Sequence, residues 1–141
     1  MADCPFCEIV KNDEGRVIAE GHHTIVILSN PRLVAGHALV IPKRHVLKLQ
    51  ALSVDEQKEL FDTVLVWQEK IIDKLATGCD IRQNNRPFIQ QNALKIDHIH
   101  IHLIPRESGD ELYQKSMQFE KEIFKTPSEE ERQDILSMLQ K

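Results

Sequence analysis

Three histidines alternate with isoleucines in the segment 98–102, as His98, His100 and His102. Successive side chains of a β-strand point to opposite faces, so these histidines would share one face while the isoleucines enter a core. Imidazole has an ordinary pKa of about 6.5 and can act as nucleophile, base or acid near neutral pH. Three imidazoles at intervals of about 7 Å could line a group the size of a phosphate. The pattern therefore suits stepwise phosphoryl or nucleotidyl transfer.

Two other interpretations of this segment stay open when only its residues are considered. An edge strand with outward polar residues could carry histidines by chance, although a chain with seven histidines seldom places three in strict alternation. Two histidines two positions apart, with a third ligand from elsewhere, also form some catalytic zinc sites. A metal-dependent hydrolase of that kind would lose its activity promptly on chelation.

A second group of reactive side chains lies at the start of the chain, where Cys4 and Cys7 flank a Pro-Phe pair. In a reducing compartment such spacing indicates a metal or redox pair more than a disulfide framework. The third cysteine, Cys79, stands alone and is predicted to be a small buried hydrophobe.

Length and charge limit what kind of protein this is. The 141 residues suit one domain. With 18 Lys and Arg against 22 Asp and Glu, the net charge of -4 opposes binding to a nucleic-acid polymer. The first residues do not resemble a secretory signal, and no apolar run approaches the roughly 18 residues that a membrane span needs. We expect a soluble cytoplasmic protein.

The elements that would position these residues follow from periodicity and turn signals. Ser53 and Glu56 form a capping-box pattern ahead of an apolar stripe with helical spacing, and Gly78 is placed to end that helix. We predict strands at 16–20, 24–28, 37–41, 80–84 and 95–104, and helices at 54–77, 111–125 and 128–140. The predicted fold class is α+β, an antiparallel meander sheet with one long helix packed on it. Residues 1–110 would form the catalytic domain, and 111–141 a helical extension of it that packs on the body or on a partner chain.

Three segments resemble a known family. His98-Ile-His-Ile-His-Leu-Ile-Pro-Arg106 resembles the signature of the histidine-triad (HIT) superfamily. Gly36-His-Ala-Leu-Val-Ile-Pro-Lys-Arg-His45 is similar to the conserved segment that precedes the family's long helix, and Cys4-Pro-Phe-Cys7 to the start of its zinc-containing microbial members. The resemblance runs from residue 4 to about 106, and the three motifs occur in the family's order.

The resemblance implies a nucleotide hydrolase or nucleotidyl transferase that acts at the α-phosphorus of nucleoside phosphoramidates or dinucleoside polyphosphates. It implies that His100 attacks the phosphorus to form a covalent nucleotidyl-histidine, which water or another acceptor resolves. His102 would contact the phosphate and assist the leaving group, and His37 would lie beside the nucleophile. No catalytic metal is expected. The resemblance also implies a homodimer joined along the long helix and a sheet edge.

The same resemblance implies a structural zinc ion. Its ligands would be Cys4, Cys7, His45 and His98, a set that closes a tetrahedral site and leaves no open position for substrate. The alternative is a reduced cysteine pair that serves only as a small apolar corner of the fold.

Departures from the family pattern lie where nucleotide would bind. Ala93-Leu94-Lys95 replaces the Gly-Gln-Ser/Thr that precedes the triad in many members, and strand alternation would place Lys95 opposite His98. Ser29, with Asn30 adjacent, stands where the family carries a ribose-binding acid or amide. The segment Asn84-Asn85-Arg86-Pro87-Phe88 replaces the usual Asn-x-Gly pattern, and one of its asparagines could still reach the leaving group. These departures leave a non-catalytic nucleotide-binding module as an alternative to an enzyme. Our candidate nucleotide-binding residues are Ser29, Asn30, Asn84, Asn85 and Lys95.

Overall fold

The computed structural model describes residues 4–140. Within that range the chain forms five strands and four α-helices in an α+β arrangement, which confirms the predicted fold class. A short 3₁₀ turn, Leu49–Ala51, precedes the long helix. The elements are α1 (Pro5–Lys11), β1 (Val17–Glu20), β2 (Thr24–Leu28), β3 (Ala38–Pro42), α2 (Val54–Lys74), β4 (Gly78–Arg82), β5 (Ile101–Arg106), α3 (Glu111–Ile123) and α4 (Glu129–Leu139).

The five strands form one sheet in the order β1-β2-β3-β5-β4, and all neighbours are antiparallel. After α2 the chain enters at the sheet edge as β4 and returns as β5 between β4 and β3. His102 in β5 is therefore the cross-strand partner of Leu39 in β3 and of Arg82 in β4. These three side chains share one face of the sheet.

Alternation along the strands produces two apolar layers. One face buries Val26, Val40, Ile101 and Leu103 against Leu60 and other residues of α2. The opposite face buries Ile25, Ile27, Leu39 and Ile41 against Phe6 and Ile9 of α1. The predicted division of the triad segment is thus seen: Ile99 and Ile101 belong to the layer beneath α2, whereas the histidines lie on the other side.

The capping box of α2 is confirmed at both bonds. The Ser53 Oγ accepts from the Glu56 N–H at 3.2 Å, and the Ser53 N–H donates to Glu56 Oε1 at 2.9 Å. The end of the helix was predicted too late, since α2 stops at Lys74. Gly78 does not end it but begins β4, opposite Arg106. Residues 75–77 instead form the turn between α2 and β4, where the Thr77 N–H donates to Glu107 Oε1 at 2.8 Å.

The triad strand is shorter than predicted, because residues 95–100 form a loop and β5 begins at Ile101. Local bonds hold this loop: the Asn92 side chain accepts from the Lys95 N–H, and the Gln91 side chain accepts from the Asp97 N–H. The Ile99 N–H donates to the Val46 carbonyl, outside the sheet. The predicted strand is therefore wrong for residues 95–100. His98 and His100 lie in a loop and not in the sheet.

The chain divides into two compact units, the first reaching to Ser108 and the second beginning at Gly109. The second unit holds the two predicted helices, α3 and α4. Asp110 caps α3 by accepting from the Tyr113 N–H at 2.6 Å, and Ser128 caps α4 by accepting from the Glu131 N–H at 3.1 Å. That these helices extend the catalytic domain stays a prediction. In the described part of the chain, no helix is both long and apolar enough to cross a membrane.

Candidate active site and metal-binding cluster

His37 lies immediately before β3 and beside His102 of β5. A tight turn positions it, because Gly36 has a φ of +86°, a conformation that favours glycine. The space beside Gly36 is also filled, since a Cβ there would lie 3.0 Å from a methyl group of Leu75. The imidazoles of His37 and His102 come together at 2.9 Å, from Nε2 to Nδ1.

The hydrogen bonds of this pair determine where its protons lie. The Leu33 N–H donates to His37 Nδ1 at 3.0 Å, so in the neutral ring the proton is on Nε2. That proton is donated to His102 Nδ1. His102 must then carry its own proton on Nε2. The hydrogen bonds through His37 and His102, here called the histidine relay, therefore make His102 Nε2 a hydrogen-bond donor.

His100 has the opposite arrangement. Its Nδ1 lies 2.7 Å from the His98 carbonyl oxygen, which can only accept, so the proton of the neutral ring is on Nδ1. The Nε2 lone pair is thus left for attack on an electrophile. The ring lies 4.9 Å from that of His102, and the ring of Phe6 packs edge-on at 5.0 Å. A ring with an available lone pair and a ring with an N–H donor therefore lie side by side.

Burial keeps all three imidazoles neutral. It lowers the pKa of His37 to about 4 and that of His102 to about 3, with the charge of Arg82 acting in the same direction on both. Burial also lowers the pKa of His100. A neutral imidazole is what nucleophilic attack by His100 requires, and a neutral His102 with Nε2–H can still donate.

A cavity of about 710 Å³ opens over His37, His100 and His102. Of the predicted nucleotide-binding residues, four line it: Ser29, Asn30, Asn84 and Lys95. Asn85 does not line it. Strand alternation does not determine the direction of Lys95, because residues 95–100 are not a strand. Lys95 lines the same cavity as His100 and His102. Its Nζ lies 2.5 Å from Asp97 Oδ1.

Several cavity residues were not predicted from the sequence. Phe6 lies on α1, a helix that was not among the elements predicted from the sequence. The N1 proline and the Cys4 cap signal that helix, since Cys4 Sγ accepts from the Cys7 N–H. The larger omission is a set of arginines that also line the cavity: Arg16, Arg32, Arg82 and Arg86. Arg86 could have been found from the sequence, because it lies in the segment that departs from the family's Asn-x-Gly pattern.

The four predicted metal ligands come together in a separate cluster. The ligand atoms of Cys4, Cys7, His45 and His98 all lie within 4.8 Å of one another. The Cys4 Sγ is 3.3 Å from His98 Nδ1, and the Cys7 Sγ is 3.4 Å from His45 Nδ1. The two histidine Nδ1 atoms are 3.2 Å apart. His98 Nε2 is 2.8 Å from the Pro42 carbonyl and donates its proton there, which directs the Nδ1 lone pair toward the cluster.

These distances suit a tetrahedral zinc ion. Bonds of about 2.3 Å to sulfur and about 2.0–2.1 Å to nitrogen place neighbouring donors about 3.3–3.8 Å apart in a tetrahedron. The donor chemistry of two thiols and two imidazoles is also that of structural zinc sites. The cluster joins α1 to the loop that carries His98, two residues before His100.

Known proteins resemble this chain in sequence over most of its length. A sequence model of the HIT domain matches residues 10–109. An adenosine 5′-monophosphoramidase of Schizosaccharomyces pombe is 33% identical over 109 residues, which cover 76% of this chain and 77% of that protein.

Two solved structures share the fold. A HIT-family protein of Bacillus subtilis has a TM-score of 0.73 and 26% identity, with 97% of this chain and 94% of that chain covered. A zinc-bound histidine-triad family protein of Mycobacterium smegmatis has a TM-score of 0.66 and 29% identity, with 78% of this chain and 79% of that chain covered. With its histidine relay, its cysteine–histidine cluster and a domain match over most of its length, the chain belongs to the histidine-triad (HIT) family.

Proposed function

We propose that this protein is a hydrolase that cleaves nucleotides at the α-phosphorus through a covalent nucleotidyl-His100 intermediate. The observation that carries the proposal is the complementary protonation of two neighbouring rings. His100 offers the lone pair of Nε2, and His102 offers the proton of Nε2. The name of the S. pombe relative, an adenosine 5′-monophosphoramidase, supports a nucleotide substrate.

In the first step the Nε2 lone pair of His100 forms a bond to the α-phosphorus while the bond from phosphorus to the leaving atom breaks. The leaving atom takes that electron pair and accepts a hydrogen bond from the Nε2–H of His102, which stabilises the developing charge. A polyphosphate leaves as the anion, and an amine leaves neutral after its nitrogen has taken a proton from solvent. In the second step a water oxygen bonds to the phosphorus, the P–N electron pair returns to His100, and the proton of the water is released to solvent. His102 keeps its Nε2 proton throughout, and the site is restored.

The cavity walls would hold the substrate in place for this attack. Ser29 and Asn30 follow β2 and lie on the His37 side, where we propose that they contact the ribose. Asn84 and Lys95 lie on the cavity walls too, and we propose that they contact phosphate oxygens or the leaving group. For Asn85, which is outside the cavity lining, we propose no contact.

We propose a structural role for zinc, held by Cys4, Cys7, His45 and His98. When bound, the ion would link the amino-terminal segment to the triad loop, and it supplies no chemistry at the phosphorus. The Pro42 carbonyl would hold the His98 ring in the orientation that binding needs. A site of two thiolates suits a reducing compartment, which supports our proposal that the protein works in the cytoplasm.

Turnover of two model substrates tests the function directly. We expect the wild-type protein to release AMP from adenosine 5′-phosphoramidate or from diadenosine tetraphosphate, as measured by chromatography. Equilibrium binding of AMP would be measured in parallel. Tight AMP binding without turnover of either substrate would overturn the proposal in favour of a nucleotide-binding module.

The pH dependence of turnover follows from the burial of His100. Burial lowers the pKa of His100, so its neutral form should persist as the pH falls through the ordinary value of about 6.5. We expect the acid limb of kcat/KM to lie below pH 6.5, because this parameter reports groups of the free enzyme. The profile would be measured between about pH 4 and 8. An acid limb at or above 6.5 would contradict the assignment of an already neutral nucleophile.

We also propose that the protein is a homodimer joined through α2. The apolar residues of this helix extend beyond those that pack in the core. Leu60 and Val64 are buried, whereas Phe61, Leu65 and Ile72 are exposed. The exposed residues recur at intervals of four and seven, so they share one face. That face and the unpaired edge of β4 would meet a second copy.

Replacement of Leu65 by glutamate is expected to convert the dimer into a monomer, because it would place a charge in the apolar contact. Leu65 is 61% exposed in the single chain. Sedimentation would show a wild-type mass twice the 16.3 kDa of one chain and a variant mass of one chain. Leu47→Glu, at a leucine 62% exposed in a loop, is the matched control and should stay dimeric. A monomeric wild-type protein would refute the proposal.

A further inference from the structure

The walls of the active-site cavity carry a strong positive charge. Five cationic side chains line it: Arg16, Arg32, Arg82, Arg86 and Lys95. Among the described residues no aspartate or glutamate lines it. The whole chain has a net charge of -4, so the positive charge is a local property of this cavity. A cavity of this kind attracts and holds anions.

Strand order separates these cations into two groups. Across the sheet the order β2-β3-β5-β4 leads from Ser29, after β2, past His37 and His102 to Arg82 at the end of β4. Arg82 is the direct cross-strand partner of His102, and neighbouring strands are about 4.8 Å apart. If the ribose occupies the Ser29 side, Arg82 and Arg86 lie beyond the phosphorus, where the leaving group would depart.

The two arginines on that side are available for a ligand. Within residues 4–140, neither Arg82 nor Arg86 forms an ion pair with a carboxylate, whereas Lys95 is paired with Asp97. On the ribose side, the Arg16 Nε already donates to the Leu28 carbonyl at 3.0 Å. A guanidinium presents parallel N–H donors that match two oxygens of one phosphate. Arg82 and Arg86 can therefore hold a group that carries phosphate.

We propose that Arg82 and Arg86 form a subsite for a phosphate-bearing leaving group, so that the preferred substrate is a nucleotide whose α-phosphate is linked to a further phosphate chain. This inference rests on the proposed function. The bridging P–O bond breaks as the His100 P–N bond forms, and the bridging oxygen leaves with the electron pair. The two guanidinium groups would stabilise the negative charge that develops on the departing chain. Hydrolysis then yields a nucleoside monophosphate and the remaining polyphosphate.

Two substrates with the same nucleoside and different leaving groups test the subsite. Diadenosine tetraphosphate releases an anionic chain, whereas adenosine 5′-phosphoramidate releases an uncharged amine. Loss of one charge-assisted contact is expected to lower kcat/KM for the tetraphosphate by about 10- to 100-fold for each of Arg82→Gln and Arg86→Gln. Because the charge of Arg82 also acts on His37 and His102, each variant is judged by the ratio of the two substrates. The kcat/KM for the tetraphosphate relative to that for the phosphoramidate should fall by this factor, since the phosphoramidate makes no such contact. Arg82→Lys should recover part of the loss, because lysine restores the positive charge but not the parallel N–H donors of a guanidinium.

Arg32→Gln is the matched control, because it removes a cation from the same cavity on the ribose side. It should alter both substrates to a similar extent and leave their ratio within about threefold of wild type. An equal effect of Arg82→Gln and Arg86→Gln on both substrates, or no effect on either, would overturn the subsite while the hydrolase stands. A wild-type protein that turns over neither substrate would instead overturn the proposed function. Thermal unfolding of each variant would verify that it is folded.

Discussion

Replacement of His100 by alanine is expected to lower turnover of any substrate by at least roughly 10⁴-fold. Neither of the other two candidate histidines of the cavity offers a free lone pair, because His37 Nδ1 accepts from the Leu33 N–H and His102 Nδ1 accepts from His37. Neither can take over the attack without breaking these bonds. The variant should also stay folded, since His100 belongs to neither apolar layer of the sheet.

The covalent intermediate provides a second readout of the same variant. Acid quenching during turnover, followed by mass spectrometry, should show a nucleotidyl adduct on the wild-type protein and none on His100→Ala. His22→Ala is the control, because His22 is exposed and lies outside the cavity lining; it should keep both turnover and adduct. Residual turnover of His100→Ala near the wild-type rate would refute nucleophilic attack by this residue.

Removal of zinc is expected to produce the largest change in stability. The proposed ligands join α1 to the triad loop, and an ion that binds only the folded chain stabilises it by about 2.7 kcal/mol at a hundredfold excess over its Kd. For a chain of this length that corresponds to a fall in Tm of about 10 °C. We expect chelation and Cys7→Ser each to lower the Tm by about this amount, measured by differential scanning calorimetry.

The metal content decides between a zinc site and a reduced cysteine pair. Elemental analysis should find about one zinc per wild-type chain and much less in Cys7→Ser, because four ligands close the site. Cys79→Ser is the matched control, since Cys79 lies outside the cluster, and it should keep the metal. Metal-free wild-type protein whose Tm does not respond to added zinc would show that the four side chains form only a packed corner.

The elements that local chemistry specifies were predicted well from the sequence. The helix α2 begins where Ser53 and Glu56 can satisfy each other's backbone donors, and both bonds are present. The sequence also predicted that the isoleucines and the histidines of the triad segment lie on opposite sides. Burial places Ile99 and Ile101 in the layer beneath α2, although one lies in a loop and the other in a strand. The composition of the metal cluster followed from the resemblance, and the structure brings those four side chains together.

Other features depended on bonds between residues far apart in the chain. Alternation predicted one strand with three equivalent histidines. In the structure the distant Val46 carbonyl accepts from the Ile99 N–H and, together with local bonds to the side chains of Gln91 and Asn92, holds residues 95–100 as a loop. That loop turns the His98 ring toward Cys4 and leaves His100 above the cavity.

By itself, then, the sequence determined the fold class, the start of the long helix and the identity of the reactive side chains, because each depends on neighbours within a few positions. Only the tertiary structure decided what each histidine can do. The pairing of β3 with β5 brings His37 beside His102, which sets the proton position of His102. Nearby backbone groups, the Leu33 N–H and the His98 carbonyl, set those of His37 and His100, but only in the loop conformations that the fold imposes. The strand order likewise decided that Arg82, 20 residues before His102 in the chain, lies directly beside it.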